Sequence, residues 1–305
     1  MINRVFQVIK RPEKIVAFLG SKGFFKFLPD KLYLQIFYKA VFGKKLNLED
    51  PKTFNEKLQW LKLYDREEKY VSFVDKYEAK KLASNIIGEK HIIPTIGIWE
   101  RFDDIDFSAM PNSFVLKCTH DSGGIVICKD KTTLDIAQAR KKINKSLKNN
   151  FFYYGREWPY KNIKPRIIAE KYMEDSLTKE LRDYKFFCFN GKARFYKIDF
   201  DRYKDHRANY YDLDNNLLDL GETFCPPDFN RRVDIPSSTK QMEEYCTKMS
   251  KGLPFVRIDF YDVNGEVYFG EYTFFPMSGF GKFIHDSNDL YLGDMLMLPS
   301  ERKKC

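Results

Sequence analysis

The chain has 305 residues, and its 31% charged and 43% hydrophobic composition is typical of a folded protein and excludes a largely disordered one. Lysine and arginine outnumber aspartate and glutamate by 52 to 43, so the net charge of +9 favours anionic partners such as phosphates, acidic polymers or anionic lipid. No zinc-finger spacing or RNP-type strand occurs, so we expect no nucleic acid partner.

The first predicted element is a helical region that covers residues 1–93. The stretch TFNE has the spacing of a capping box, in which Thr53 and Glu56 each bond the backbone of the other residue. Apolar residues then recur at helical spacing, and Pro94 ends the pattern. Residues 1–27 mix Phe, Ile and Val with Lys and Arg, which leaves open a peripheral contact with the inner membrane surface.

The stretch FVLKCTHDSGGIVIC predicts two short strands joined by a polar loop that contains Gly123 and Gly124. Lys117 comes before these glycines and a strand follows them, which excludes a Walker A loop, where the lysine follows the glycines and a helix begins. Two interpretations remain open. The glycine loop could approach phosphates through its backbone N–H groups while Lys117 adds charge, or the segment is an ordinary hairpin.

Two further strands carry charged residues at their ends. The stretch IIAEKYM predicts a strand that ends in Glu170 and Lys171, and the stretch DYKFFCF places Asp183 and Lys185 on one face of the next strand. Asn190-Gly191 then predicts a hairpin turn. Taken singly, each of these charges is more typical of a surface position at a strand end than of a site.

The last hairpin, VRIDFYDVNGEVYFGEYTFF, places two carboxylates among apolar residues. A two-residue turn at Asn264-Gly265 would put Asp259 and Glu271 on opposite faces. A three-residue loop with a bulge at Gly265 would put them on one face, together with Arg257 and Thr273. On one face the carboxylates could share Mg²⁺, or they could form an ion-pair network with the arginine and hold no metal.

In chain order these features resemble the ATP-grasp superfamily, and more narrowly its teichuronopeptide-biosynthesis (TupA-like) branch. The likeness rests on TFNEKLQWLKLYD, FVLKCTHDSGG, DYKFFCFNGKARF and VRIDFYDVNGEVYFGEYTFFPMSGFGKF, and it covers residues 28–285. It implies an α+β ATP-grasp fold in which antiparallel, hairpin-rich subdomains clasp ATP after a helical N-terminal region. The subdomains would comprise residues 94–173, with the glycine loop, and 174–305, with the metal site.

The resemblance also implies ATP and Mg²⁺ as cofactors and a role for each matched position. The nucleotide would contact Lys117, Ser122, Gly123, Gly124, Glu170, Lys171, Tyr172, Met173 and Asp183. The catalytic residues would be Lys185 and Arg257. The metal would be held by Asp259, Glu271 and Thr273, the last standing where many ATP-grasp sites have Asn. The substrate would contact Arg202, His206, Arg207, Ser278 and Gly279.

The implied activity is ATP-dependent carboxylate–amine ligation through an acyl phosphate in bacterial capsule or surface polysaccharide biosynthesis. The substrates would be small molecules or saccharides, and one concrete version joins an amino acid to a uronic acid. The triplet Asp199-Phe200-Asp201 supports a rival, because glycosyltransferases use DxD to bind a nucleotide-sugar through a metal. A second rival is a non-catalytic polysaccharide- or membrane-binding module.

The expected location is the cytoplasm. The six cysteines form no CxxC pair, which predicts a reducing compartment, and neither a signal-peptide pattern nor a bilayer-spanning apolar run is found. The sequence does not indicate an oligomeric state.

Overall fold

The computed structural model describes residues 12–176, 181–201 and 205–300. Its N-terminal part is helical, as predicted, and comprises α1 (Pro12–Ser21), α2 (Asp30–Phe42), α3 (Phe54–Tyr64), α4 (Tyr70–Val74) and α5 (Lys76–Ile87). The predicted capping box is confirmed, since the Glu56 amide donates to the Thr53 hydroxyl and the Glu56 carboxylate accepts from the Thr53 amide. The Asp75 carboxylate caps α5, which separates that helix from α4.

The first sheet has four antiparallel strands in the order β1-β4-β2-β3. They are β1 (Thr95–Trp99), β2 (Phe114–Cys118), β3 (Ile125–Cys128) and β4 (Ile167–Lys171). Helix α6 (Ile136–Leu147) packs on β2 and β3 and closes a small apolar core around Phe114 and Ile143. A short helix, α7 (Phe152–Gly155), follows it.

The second sheet has six antiparallel strands in the order β10-β9-β5-β6-β7-β8. They are β5 (Asp183–Phe189), β6 (Lys192–Phe200), β7 (Arg207–Asp212), β8 (Leu217–Leu218), β9 (Phe255–Val263) and β10 (Glu266–Thr273). Helix α8 (Thr239–Met249) packs on β5 and β6, and α9 (Asp286–Met295) packs on α3. The predicted hairpin at Asn190-Gly191 is confirmed, and the larger apolar core lies between this sheet and the N-terminal helices.

The β9–β10 hairpin combines parts of the two registers that the sequence left open. Asn264 and Gly265 form a two-residue turn, both with positive φ, and this turn pairs Phe269 with Phe260. A bulge at Gly270 then brings Glu271 opposite Asp259. The predicted bulge at Gly265 is therefore wrong in position. The bulge at Gly270 nevertheless shifts the later part of the strand by one residue, so both carboxylates share one face.

Gly270→Ala is expected to lower the free energy of unfolding by about 1–3 kcal/mol, because the new Cβ would lie 2.9 Å from the backbone oxygen of Asp259. Urea denaturation measures the change. Gly123→Ala is the matched control, since its Cβ would meet no atom within 4 Å, and we expect a change within about 0.5 kcal/mol. Equal unfolding midpoints for the two variants would contradict the close approach of β9 and β10 at the bulge.

Among the helices of the described ranges, none has the length and apolar character needed to cross a membrane.

Candidate active site

A cleft of about 840 Å³ is lined by strands of both sheets. Its apolar lining includes Ile93, Val126 and Leu134. The predicted nucleotide-binding residues that line it are Lys117, Glu170, Lys171, Tyr172, Met173 and Asp183. A mixed apolar and charged lining of this kind suits a ligand that has both a planar ring and phosphates.

Two lysines hold Glu170 at the edge of this cleft. Lys117 Nζ lies 2.6 Å from Glu170 Oε2, and Lys80 Nζ lies 2.6 Å from Glu170 Oε1. The pKa of Glu170 falls to about 2, because the two lysines outweigh the effect of burial, which alone would raise it. Burial alone would lower the pKa of Lys117, but Glu170 raises it, so this lysine stays charged. Sequence analysis missed Lys80, which α5 brings to the site.

The glycine loop lies against α6. The Ser146 hydroxyl donates to the Asp121 carboxylate, which also accepts from the Gly124 amide at 3.2 Å. A Cβ at Gly124 would lie 2.5 Å from Ser146 Oγ, whereas Gly123 has open space around it. Ser122 is exposed at the tip. Since Cys118, the residue after Lys117, donates its amide to the Gly124 carbonyl, the loop begins directly at the lysine.

Lys185 lies in a second charged cluster on the face of the six-stranded sheet. Its Nζ is 3.1 Å from Asp183 Oδ1, 3.3 Å from Asp199 Oδ2 and 3.4 Å from Asp259 Oδ2. Burial would lower the pKa of this ammonium, but the three carboxylates together raise it well above its usual value. Lys185 is therefore a fixed positive charge in the interior of the protein.

Arg257 joins the metal-site candidates into one network. Its Nε and Nη2 each lie 2.7 Å from an oxygen of Asp259, and Nη2 also reaches Glu271 Oε1 at 3.5 Å and Thr273 Oγ1 at 3.0 Å. Burial would raise the pKa of Asp259, but Arg257 and Lys185 lower it, so the carboxylate is charged. Of the two arrangements that the sequence left open, the ion-pair network is thus present.

The donor set also fits Mg²⁺. This ion takes one or two carboxylates together with substrate phosphates, and the Asp259 and Glu271 carboxylates lie opposite each other across β9 and β10. The Glu271 side chain is 43% exposed, so one carboxylate is accessible to an ion. No cluster of three or more His, Cys, Asp or Glu residues suited to a metal occurs in the parts of the chain that the structure describes. Phosphate oxygens would therefore have to complete the coordination.

Tyr261 lies on the cleft together with charged residues of both sheets. Burial raises the pKa of its phenol well above the usual value. Carboxylates of both clusters add to that rise, namely Asp183, Glu271, Asp259 and Glu170. Asp183 and Asp199 line the same cleft as Lys117 and Glu170, and both bind Lys185, so the Lys185 cluster adjoins the cleft.

The predicted substrate residues lie in two places. His206 Nε2 is 3.8 Å from Asp199 Oδ2 and so adjoins the Lys185 cluster, while Arg207 forms a surface pair with Asp205 at 2.7 Å. Arg202 lies outside the described residues. Ser278 and Gly279 are buried in a separate turn after β10 and have positive φ values of 52° and 61°.

The turn that contains Ser278 is held by a buried lysine that sequence analysis missed. Lys62 Nζ donates to the Ser278 carbonyl at 2.7 Å, the Gly155 carbonyl at 2.6 Å and Gln59 Oε1 at 3.0 Å. The Ser278 hydroxyl in turn donates to the Glu157 carboxylate. Burial lowers the pKa of Lys62 to about 7, although Glu157 opposes that shift. Left-handed backbone at Ser278 is strained, so these bonds are what keep the turn in place.

Lys62→Met is expected to cost about 3 kcal/mol of stability, because it removes a buried donor from the Gly155 and Ser278 carbonyls and a cation from Glu157. Urea denaturation measures the loss. Lys69→Met is the matched control, since that lysine is exposed, and we expect almost no change. Similar unfolding midpoints for the two variants would show that Lys62 does not hold the turn.

The comparison that decides the family covers most of the chain. Residues 56–297 match the family described as TupA-like ATPgrasp. The chain belongs to this family. The resemblance stated from the sequence is thereby confirmed, as is the α+β ATP-grasp fold with its helical N-terminal region. No curated protein sequence gives a significant match.

Among solved structures, the TupA-like ATP-grasp chain is similar to D-alanine–D-alanine ligase from Bacillus anthracis complexed with ATP. The identity is 16%, the match covers 66% of this chain and 53% of the ligase, and the TM-score is 0.38. The Helicobacter pylori ligase matches at 15% identity over 80% of this chain and 69% of its own, with a TM-score of 0.43. The ATP-grasp ligase PsnB, complexed with a precursor variant, Mg and ADP, matches at 8% identity over 68% of this chain and 51% of its own, with a TM-score of 0.40. The chain thus spans about half the length of the first of these ligases.

Proposed function

We propose that this protein is an ATP-dependent ligase that joins a carboxylate to an amine through an acyl phosphate. One observation carries the proposal: the Lys117–Glu170 pair lines the cleft between the two sheets, and Asp183, which lines the same cleft, binds Lys185 of the Lys185–Asp259–Arg257 network. Fixed charges in a buried site stabilise phosphoryl transfer more strongly than the same charges in water. Membership of the TupA-like ATP-grasp family supports ATP with Mg²⁺ as the cofactors.

The nucleotide would lie in the 840 Å³ cleft, with its ring against the apolar wall. The residues from Glu170 to Met173 would form the hinge beside the adenine, and Asp183 would meet the ribose. Lys117 would bind the phosphates, and Ser122, Gly123 and Gly124 would cover them. A loop closed over the phosphates would keep water from the acyl phosphate.

The charged residues of the second sheet would act on the transferred phosphoryl group. Mg²⁺, held by Asp259, Glu271 and Thr273, would neutralise charge on the phosphates. Lys185 would stabilise the negative charge of the phosphoryl group, and Arg257 would orient the reacting carboxylate. Both cations are already fixed by buried carboxylates, so little reorganisation is needed when the substrates bind.

For the acceptor we propose an anionic saccharide or amino acid from capsule or surface polysaccharide biosynthesis. One concrete reaction is amide linkage of an amino acid to a uronic acid. The acceptor would contact Arg202, His206, Arg207, Ser278 and Gly279. The strained turn at Ser278 supports this assignment, since strained backbone that buried contacts hold in place is common at binding sites. Such a reaction would take place in the cytoplasm, where ATP is supplied.

Trapping the acyl phosphate tests the proposal. The protein is incubated with ATP, Mg²⁺, hydroxylamine and a panel of amino acids and uronic acids. We expect one carboxylate to yield ADP and a hydroxamate in equal amounts. Transfer from UDP-glucose or UDP-glucuronate, with no ADP formed from any carboxylate, would instead favour the glycosyltransferase alternative. Binding of polysaccharide with no turnover of any nucleotide would favour the non-catalytic alternative.

A further inference from the structure

Large apolar side chains are exposed together in one short segment, residues 18–36, which we call the basic apolar segment. Phe18 is 60% exposed, Phe24 69% and Phe27 95%. On the following helix, Leu32 and Ile36 are one turn apart and both more than 40% exposed. Single exposed apolar residues are ordinary, but five within nineteen consecutive positions mark a surface that binds something.

The fold holds this segment in a defined shape. Gly23 has a φ of 76°, and the Phe24 amide donates to the Leu19 carbonyl at 3.0 Å. The buried Arg156 donates from Nη2 to the Phe25 carbonyl at 2.5 Å. The Phe25 ring lies 5.8 Å from Tyr33, so it packs inward while the rings on either side of it in the chain face solvent. The exposure of Phe24 and Phe27 is therefore a property of the folded turn.

The charge of the segment is strongly positive. Four exposed lysines lie in or next to it, at positions 14, 22, 26 and 31. The acidic residues of the same stretch are Glu13 and Asp30, and Asp30 is bound by Arg66 at 2.8 Å and by Arg156 at 3.4 Å. Lysine ammonium groups next to exposed phenylalanines give a surface that attracts anions and also has apolar area to bury.

We propose that the basic apolar segment docks on the surface of an anionic lipid bilayer. Phenylalanines enter the boundary between headgroups and acyl chains, and lysines bind the anionic headgroups. A protein partner fits less well, because lysine is depleted in protein–protein interfaces. The docking goes beyond the proposed ligase reaction and does not depend on it. Helix α1 packs on α7, and Lys62 donates to both the Gly155 carbonyl of α7 and the Ser278 carbonyl. A docked protein would therefore hold the Ser278 turn close to the membrane.

Co-sedimentation of the full chain with vesicles, without nucleotide, tests this inference. We expect binding to phosphatidylcholine vesicles that contain phosphatidylglycerol, and little binding to phosphatidylcholine alone. Phe24→Ser with Phe27→Ser should weaken binding about a hundredfold, through the apolar area lost. Lys22→Glu, Lys26→Glu and Lys31→Glu together should weaken it at least about tenfold and remove its dependence on salt.

Two control variants make the test specific. Met297→Ser removes an apolar side chain that is 68% exposed elsewhere on the surface. Lys90→Glu, Lys248→Glu and Lys251→Glu together make the same change in net charge as the lysine variant, at other exposed positions. Both controls should bind vesicles like the wild type. The inference is overturned if the wild type does not bind phosphatidylglycerol vesicles, or if the controls lose binding as strongly as the segment variants. A change of oligomeric state in the Phe variant, with vesicle binding intact, would instead identify a second copy of the chain as the partner.

Discussion

Lys117→Ala is expected to abolish ATP binding and to lower the ATP-dependent activity by at least about a thousandfold. In the cleft this lysine is held by Glu170 at 2.6 Å, and it is the charge that we assign to the phosphates. The fold should survive the change, because Glu170 keeps its second partner, Lys80, also at 2.6 Å. Isothermal titration with ATP and Mg²⁺ and a coupled assay for ADP measure the two effects.

Lys164→Ala is the matched control for Lys117→Ala, since it removes the same charge from an exposed pair with Glu100. We expect it to bind ATP and turn over like the wild type. Near-full activity of Lys117→Ala, with an unchanged affinity for ATP, would show that the assignment of this lysine is wrong.

The second large effect is expected for Asp259→Asn, which should lower the activity by about a thousandfold or more while the protein stays folded. The amide keeps the shape of the side chain but cannot serve as a charged metal ligand. Arg257 retains Glu271 and Thr273 as partners, and Lys185 retains two other carboxylates. The loss of stability should therefore be only about 1–2 kcal/mol, less than for a buried pair that is broken outright.

The control for Asp259→Asn lies on the same strand. Asp262 accepts hydrogen bonds from the Ser238 hydroxyl at 2.5 Å and the Gly265 amide at 3.1 Å, and it is outside the proposed site. Asp262→Asn should lose some stability but keep its activity. Thermal unfolding measures the stability of Asp259→Asn and Asp262→Asn, and the dependence of activity on the Mg²⁺ concentration shows which of the two has lost a metal ligand. An active Asp259→Asn protein with an unchanged requirement for Mg²⁺ would remove this residue from the metal site.

The sequence predicted the elements that local signals determine. Thr53 and Glu56 form their capping box, and Asn190-Gly191 makes its hairpin, because each depends on residues within three or four positions of one another. The strands that carry Lys117, Glu170, Asp183 and Lys185 could also be predicted, because each is a short apolar run that is recognised locally. The charged residues of these strands could therefore be singled out before their distances were known.

What the sequence did not predict depends on contacts between distant parts of the chain. Lys80 looks like an ordinary surface lysine on a helix, and its partner Glu170 is 90 residues away. Lys62 likewise reaches Ser278, 216 residues away. The bulge at Gly270 follows from the close approach of that residue to Asp259, which no turn signal in the sequence encodes. The N-terminal helices bring the two lysines to their partners, and the close approach of β9 and β10 sets the bulge.

The most direct test of the proposed function is nucleotide binding, measured as the shift in thermal unfolding with and without Mg²⁺. The panel contains ATP, ADP, UDP-glucose and UDP-glucuronate, and it is applied to the wild type and to Lys117→Ala. A site built from Lys117, Asp259 and Glu271 predicts a Mg²⁺-dependent shift with ATP that the variant loses. A shift with the UDP-sugars and none with the adenine nucleotides would contradict it.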